Sequence, residues 1–356
     1  MSIRAASVLL AVVAAFLVAV PVAPAAAAKC RPGHGQKVIA RSARAVLLSS
    51  SEPAWGYRLW GCLRRTGVRR LIATGDEDRE LKVPMLRGTH VGYLDTNLDG
   101  DPSTVISDDA LRRGRRVEVA TVAAQDRIGL RMGDDGALAW RQTIAPGQRL
   151  WLWRPGDTTR LADEGFDLTG LRFTGRTLRW RHDRAGRTSR PPAASACAGD
   201  AGDGSTMTVD VIHTSVSTVV CWRAAGASTT FPATPNELAI AGSWVAARTV
   251  NGIEARNLLD PSAARSVAVG SVAGVVIDEH GSLAWSYGSG GGHPPPSLST
   301  AAVWVDDAAG ARSYGEVPLW AWVVLARDGS TVRWLDGSDN PPGTATLIAP
   351  RTSASA

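Results

Sequence analysis

Residues 127–162 read RIGLRMGDDGALAWRQTIAPGQRLWLWRPGDTTRLA. Short apolar runs are cut by Gly-Asp-Asp-Gly, Ala-Pro-Gly and Pro-Gly-Asp, residue types that supply turn geometry. Leu and Trp alternating with other residues beside those turns suit strands with one buried face. The stretch predicts four strands, at 128–132, 137–143, 149–154 and 158–161. Its first turn opens a phrase that occurs four times: Gly136-Ala-Leu-Ala-Trp140, Gly175-Arg-Thr-Leu-Arg-Trp180, Gly281-Ser-Leu-Ala-Trp285 and Gly329-Ser-Thr-Val-Arg-Trp334.

A second phrase, strand–polar turn–strand, recurs at 58–72, 149–161, 218–231 and 302–314, with a degenerate copy at 252–267. The two phrases alternate, and together they make a four-stranded unit. Units fall at 38–75, 86–125, 127–162, 168–231, 238–270, 272–314 and 317–348. Helical periodicity is almost absent. An all-β chain of such units at this spacing predicts a β-propeller. Seven four-stranded blades are the expectation, with six or eight left open. The last unit is one strand short, and residues 37–40 or 46–49 are candidates to complete it. Residues 183–205 have no strand pattern and read as a long surface loop, or as the boundary between two smaller β domains near residue 195.

These patterns, Gly-x-Leu-x-Trp and Trp followed five residues on by Gly, resemble those of exported bacterial β-propeller proteins with irregular, WD-type-like blades. The resemblance spans most of residues 38–348 and departs from eukaryotic WD repeats, since no Gly-His and Trp-Asp pair marks each blade. It implies a fold. Members of that group serve as binding platforms, and some carry lyase, hydrolase or dehydrogenase sites in the axial funnel, so the reaction stays open.

The N-terminus reads as a secretory signal peptide over residues 1–28: Arg4, an apolar run from Val8 to Val20, then Ala26-Ala27-Ala28. A retained membrane anchor is the alternative. Residues 29–350 then form the propeller and 351–356 a tail, with no transmembrane segment in the mature chain. Four cysteines, Cys30, Cys62, Cys197 and Cys221, suit two disulfides in an exported protein. Of three pairings, Cys30–Cys62 and Cys197–Cys221 are favoured because each closes a short loop. A secreted or cell-surface location follows.

Charge is uneven. Residues 29–194 carry 30 Arg and Lys against 19 Asp and Glu, whereas residues 195–356 carry 8 against 14. A basic first half attracts an anionic partner, such as a cell-wall polymer or acidic glycan. Nucleic acid is not expected, because the clusters at Arg112–Arg116 and Arg176–Arg190 lack the interleaved aromatics on which bases stack. An unidentified protein remains the other candidate partner.

The 13 tryptophans are assigned chiefly to packing, since they recur at equivalent places in each unit. Trp55, Trp244 and Trp320 fall outside the phrases and are the candidates for ligand stacking. Ligand geometry occurs in Asp95-Thr-Asn97-Leu-Asp99-Gly100-Asp101-Pro-Ser103. Oxygens at positions one, three and five with Gly at six would wrap a hard cation. The loop resembles the calcium loops of integrin-type propellers, although Ser103 stands where those have Asp. A structural calcium on Asp95, Asn97, Asp99 and Asp101 is the one cofactor expectation, with Asp108 and Asp109 as compensating ligands if the loop folds back. An Asx-rich turn is the alternative. No catalytic residues are nominated. His34, His90, His182, His213, His280 and His293 lack metal-ligand spacing, and Asp134-Asp135 and Asp278-Glu279 sit in hairpin turns. A non-catalytic binding platform is therefore the first expectation, and a polymer lyase or hydrolase the second. If the Asp95 loop holds calcium, chelation lowers the melting temperature of the mature protein; an unchanged value removes the ion.

Overall fold

The computed structural model describes residues 30–52, 56–99, 102–124, 126–189, 194–232, 238–270, 272–287, 299–318, 323–335 and 342–349. The leader at 1–28, Trp55, Asp101, His293, Trp320 and the tail at 351–356 lie outside them. Every regular element described is a strand, and each sheet is an up-and-down antiparallel meander.

Sheet I comprises β1 (Gln36–Arg41), β2 (Ala45–Glu52), β3 (Gly56–Leu63) and β4 (Arg69–Gly75). Sheet II comprises β5 (Arg79–Arg87), β6 (His90–Asn97), β7 (Ser103–Ala110) and β8 (Arg115–Ala123). Sheet III comprises β9 (Arg127–Met132), β10 (Leu138–Ile144), β11 (Gly147–Trp153) and β12 (Arg160–Gly165), matching the four strands expected there. Sheet IV has three strands, β13 (Leu168–Thr174), β14 (Thr177–His182) and β15 (Ala185–Ser189). Sheet V also has three, β16 (Val209–His213), β17 (Ser217–Trp222) and β18 (Ser228–Pro232).

Sheet VI comprises β19 (Leu238–Ala241), β20 (Trp244–Thr249), β21 (Gly252–Asn257) and β22 (Ala264–Val267). Sheet VII comprises β23 (Val272–Ile277), β24 (Leu283–Tyr287), β25 (Ser299–Asp307) and β26 (Gly310–Pro318). Sheet VIII comprises β27 (Val324–Asp328), β28 (Thr331–Leu335) and β29 (Gly343–Thr346).

The architecture is thus all-β, built of propeller-type blades, and the described residues form eight sheets. The unit expected at 168–231 resolves into sheets IV and V. Part of the expected loop at 183–205 is β15, an edge strand exposed along most of its length. Such a strand has no face to bury and so shows no apolar alternation. Sheet VIII does not borrow a strand from the N-terminus, because β1 and β2 pair with each other in sheet I.

Neighbouring sheets meet face to face. Leu94 and Ile106 of sheet II meet Leu130, Leu138 and Trp140 of sheet III, and Val275, Ile277 and Trp285 of sheet VII meet Trp244, Ala246 and Ile253 of sheet VI. Comparable layers join I to II, III to IV, V to VI and VII to VIII. Within a sheet the two sequence phrases oppose each other. Trp140 lies across from Trp151, and Trp285 from Trp304, each pair stacked with ring centroids 6.4 and 6.5 Å apart. The repeated glycine has two duties. Gly136 and Gly281 adopt φ of 85° and 80°, as their tight turns require. A Cβ there would also sit 2.6 Å from the ring of His90 or Trp244. Those rings stand at the first residue of the second strand of the preceding sheet, so the hairpin turn of one sheet is the seat for the next. Trp244, expected as a ligand-stacking candidate, is instead buried on Gly281.

Both favoured disulfides are present, Cys30–Cys62 and Cys197–Cys221. Among the described residues no helix is long and apolar enough to cross a membrane. At the C-terminal end, Asp307 of β25 accepts from Arg312 at 2.7 and 2.6 Å and from the Ile348 N–H at 2.7 Å, which ties sheet VII to the strand end of sheet VIII. Burial opposes ionisation of Asp307, but the Arg312 guanidinium and the Ile348 and Ala309 N–H groups outweigh it and bring the carboxyl down to about 2.

Two outcomes follow from this packing. Trp140→Ala, measured by urea titration, destabilises the chain by about 3–5 kcal/mol, the usual cost of emptying a buried indole site. The Asp307 contribution is complete above the ordinary value of 3.8 and is lost as pH falls toward about 2. Acid titration of Asp307→Asn therefore shows a shallower loss of stability across that window than the parent chain.

Candidate anion-binding site

In a meander, alternate turns fall at the same end of the sheet. The turns β1–β2, β5–β6, β7–β8, β9–β10, β11–β12 and β13–β14 consequently gather at one end of sheets I to IV. They enclose a cleft of about 700 Å³. Its charged lining includes Arg44, Arg112, Arg113, Arg115 and Arg176, facing His90, Asp108, Asp134, Asp135 and Asp157.

Several of these acids are already committed. Asp135 holds Arg154 at 2.7 Å and lies 3.7 Å from Arg176, and its other oxygen accepts the Ala137 N–H of the hairpin turn. Asp157 lies 3.3 Å from Arg160. Asp108 lies 3.1 Å from His90 Nδ1, and this hydrogen bond is the main reason the imidazole pKa is raised. By contrast, Arg44, Arg112, Arg113 and Arg115 are exposed and have no carboxylate partner among the described residues. Arg112 and Arg113 come from the tight turn between β7 and β8, and Arg115 opens β8. The mouth therefore presents guanidinium groups in excess of the acids able to neutralise them.

A second cleft, of about 480 Å³, lies where the first strands of sheets I to IV come together. Arg87, Arg131 and Arg172 line it, with Asp134 as the acid. The first strands of sheets VI and VII differ. Leu238–Ala241 and Val272–Ile277, of sheets VI and VII, contain no charged residue. The charge imbalance of the sequence is thereby concentrated on the first-strand lining and turn ends of the N-terminal sheets.

Of the four expected calcium ligands, Asp95, Asn97 and Asp99 are among the described residues. Asp95 is buried within β6 and accepts from Arg79 Nε at 2.6 Å and Arg116 at 3.1 Å. Asn97 caps the turn by accepting the Asp99 N–H at 3.2 Å. Asp108 and Asp109 lie at the far end of the hairpin, opposite Gly92 and Val91, so they do not fold back toward the loop. Asp109 is raised to about 6, first by burial and then by the neighbouring Asp108.

The best-formed polar cluster has no counterpart in any local sequence pattern. His182 of β14 is held on both ring nitrogens, by Asp163 of β12 at 2.9 Å and by Asp328 of β27 at 2.7 Å. Asp163 also accepts from Trp180 Nε1 at 2.6 Å, and Asp328 from the Phe166 N–H at 3.1 Å. Next to it, Glu164 pairs with Arg327, and Arg333 lies 4.1 Å over the Phe166 ring. The partners are 19 and 146 residues from His182, which is why no local pattern announces them. The cluster fastens sheets III and IV to sheet VIII. Among the described residues, His182, Asp183 and Asp328 form the group of three ligand side chains close enough to share an ion, with ligand atoms within 4.8 Å. Elsewhere, His213 is satisfied by Thr218 and the Asp203 carbonyl, and Asp278 accepts the His280 and Ser282 N–H groups of its turn.

No family model matches the chain, and no curated protein matches it. Among solved structures, TolB from Acinetobacter baumannii is 12% identical, with a TM-score of 0.30 over 62% of this chain and 63% of that one. The β-propeller domain of the Trilobed protease from Pyrococcus furiosus is 11% identical, with a TM-score of 0.24 over 78% of this chain and 100% of that one. A prolyl endopeptidase is 10% identical, with a TM-score of 0.33, and this chain covers 50% of it. At such scores these likenesses carry no functional argument.

Burial opposes charge on His182, but the hydrogen bonds and fields of Asp328 and Asp163 outweigh it and raise its pKa above the ordinary 6.5. Its stabilising contribution is complete below 6.5 and is lost as pH rises through the raised value. Thermal melts of His182→Gln against the parent chain show the largest deficit at pH 5–6 and a smaller one in alkaline buffer. A deficit that does not change with pH overturns the assignment of a charged imidazole.

Proposed function

We propose that this chain is an exported, non-catalytic binding platform whose turn-end mouth takes an anionic polymer. The observation that supports the reading is the group of guanidiniums without a carboxylate partner among the described residues, Arg44, Arg112, Arg113 and Arg115, around a cleft of about 700 Å³. Arginine presents a planar fork that meets phosphate or carboxylate through two parallel hydrogen bonds. Rigid sheets hold those forks on short turns, so little order is lost on binding. Two paired disulfides agree with an oxidising compartment outside the cytoplasm.

The test is binding of the mature chain, residues 29–356, to immobilised polyanions at increasing NaCl. Retention falls with salt, and Arg112→Gln/Arg113→Gln/Arg115→Gln lowers affinity about tenfold at unchanged melting temperature. Recovery of the polymer at its original length separates this reading from a lyase or hydrolase. Wild-type protein that passes every polyanion at low salt overturns it.

A further inference from the structure

Sheet IV has one covered face and one open face. Leu178 and Trp180 of β14 pack onto Ala137, Ala139, Leu150 and Leu152 of sheet III. The opposite face follows from the register. Arg172 lies directly across from Arg179, Thr169 across from Arg181, and Thr188 across from Arg179 on its other side. These five residues are exposed and share that face, which is made of guanidiniums and hydroxyls.

The next sheet in the chain does not cover it. Sheet V packs onto sheet VI through Val211, Val220 and Phe231. Its other face is occupied by its own incoming segment. Cys197 is bonded to Cys221, Ser195 binds Asp210, and Gly199 lies so close to Ile212 that a Cβ would meet its methyl at 3.2 Å. Arg160 of β12 completes this seal by bonding Asp210 at 2.6 Å and the Thr206 carbonyl at 3.1 Å. The disulfide-pinned segment thus takes the place a neighbouring sheet would fill, and sheet IV faces solvent.

Like charges directly opposed across two strands destabilise a sheet. Arg172 and Arg179 are so opposed, and Arg181 follows two residues on. None of the three is paired with an acid among the described residues. Arg172 also lines the inner cleft with Arg87 and Arg131, so the row continues from the open face into the interior of the N-terminal sheets.

We infer that this face is a docking track for a linear phosphodiester polymer, an inference that rests on the anion-binding reading above. Charge complementarity selects a polyanion. The aromatic residues narrow the class. The open face of sheet IV carries no Trp, Tyr or Phe, so sugar rings and bases find no flat surface there on which to stack. A flexible phosphodiester chain needs none: its phosphates meet the guanidinium forks, and the threonine hydroxyls bond its free oxygens.

Poly(glycerol phosphate) is the probe, with polygalacturonate as the carboxylate arm, in titrations of the mature chain at fixed salt. Wild type binds poly(glycerol phosphate) more tightly than polygalacturonate. Arg172→Gln/Arg179→Gln/Arg181→Gln lowers that affinity about tenfold. Arg179→Glu, which sets an acid opposite Arg172, lowers affinity while raising the melting temperature, so weak binding there is not misfolding. Wild-type affinity in the sheet IV variants overturns the track but leaves the platform reading standing if the Arg112/Arg113/Arg115 variant is weakened. Equal or tighter binding of polygalacturonate overturns the phosphodiester class. No binding of either polymer by wild type removes both readings.

Discussion

Face-to-face burial of indole and aliphatic side chains between successive sheets holds this molecule together and places its polar groups. A strand meander buries little on its own, and its stability comes from the layer it shares with its neighbour. In sheets III and VII that layer includes a Trp pair from adjoining strands and a seat made by a hairpin glycine. Because Gly136 and Gly281 lack a Cβ, the ring of the preceding sheet reaches the turn backbone. The same turn geometry sends the connecting loops of the N-terminal sheets to one end, where their polar residues form the mouth. Packing of the apolar residues therefore decides where the charged ones gather.

The succession of layers is interrupted between sheets IV and V. There a disulfide-held segment, not a sheet, covers the face of sheet V that carries Asp210, Ile212 and Cys221, the face turned away from sheet VI. Burying one sheet face under a short segment leaves its would-be neighbour open to water, and that open face is where Arg172, Arg179 and Arg181 lie. The chain's two halves are rejoined by polar contacts: Arg160 with Asp210, Glu164 with Arg327, and His182 between Asp163 and Asp328. Buried ion pairs of this kind contribute little net stability but penalise every arrangement that leaves one partner alone. They suit a junction that must hold one relative placement without a large apolar layer.

Much of the fold was legible in the sequence because hairpin chemistry is local. The turn glycines, the alternating Leu and Trp, and the length of each unit specify strands that begin within two residues of their expected places in sheet III, although β12 runs four residues past its expected end. Both cysteine pairings were legible for a similar reason, since each partner lies within one half of the chain. The eighth sheet was not, since β15 is exposed on both sides and carries no alternation to read. The basic character of the site was visible as composition, but which arginines remain unpaired was not: Arg79, Arg116 and Arg154 are as basic in sequence as Arg112 or Arg179, yet each is consumed by an acid.

The strands, their hairpins and the excess of positive charge in the first half are written in the order of the amino acids, because these depend on neighbours a few residues apart. Long-range packing alone turns Asp95 inward to two arginines, clasps His182 between distant aspartates, and leaves one face of sheet IV uncovered. Those outcomes depend on which sheet lies against which, a choice made by burial across large separations in the chain, where no local pattern reaches.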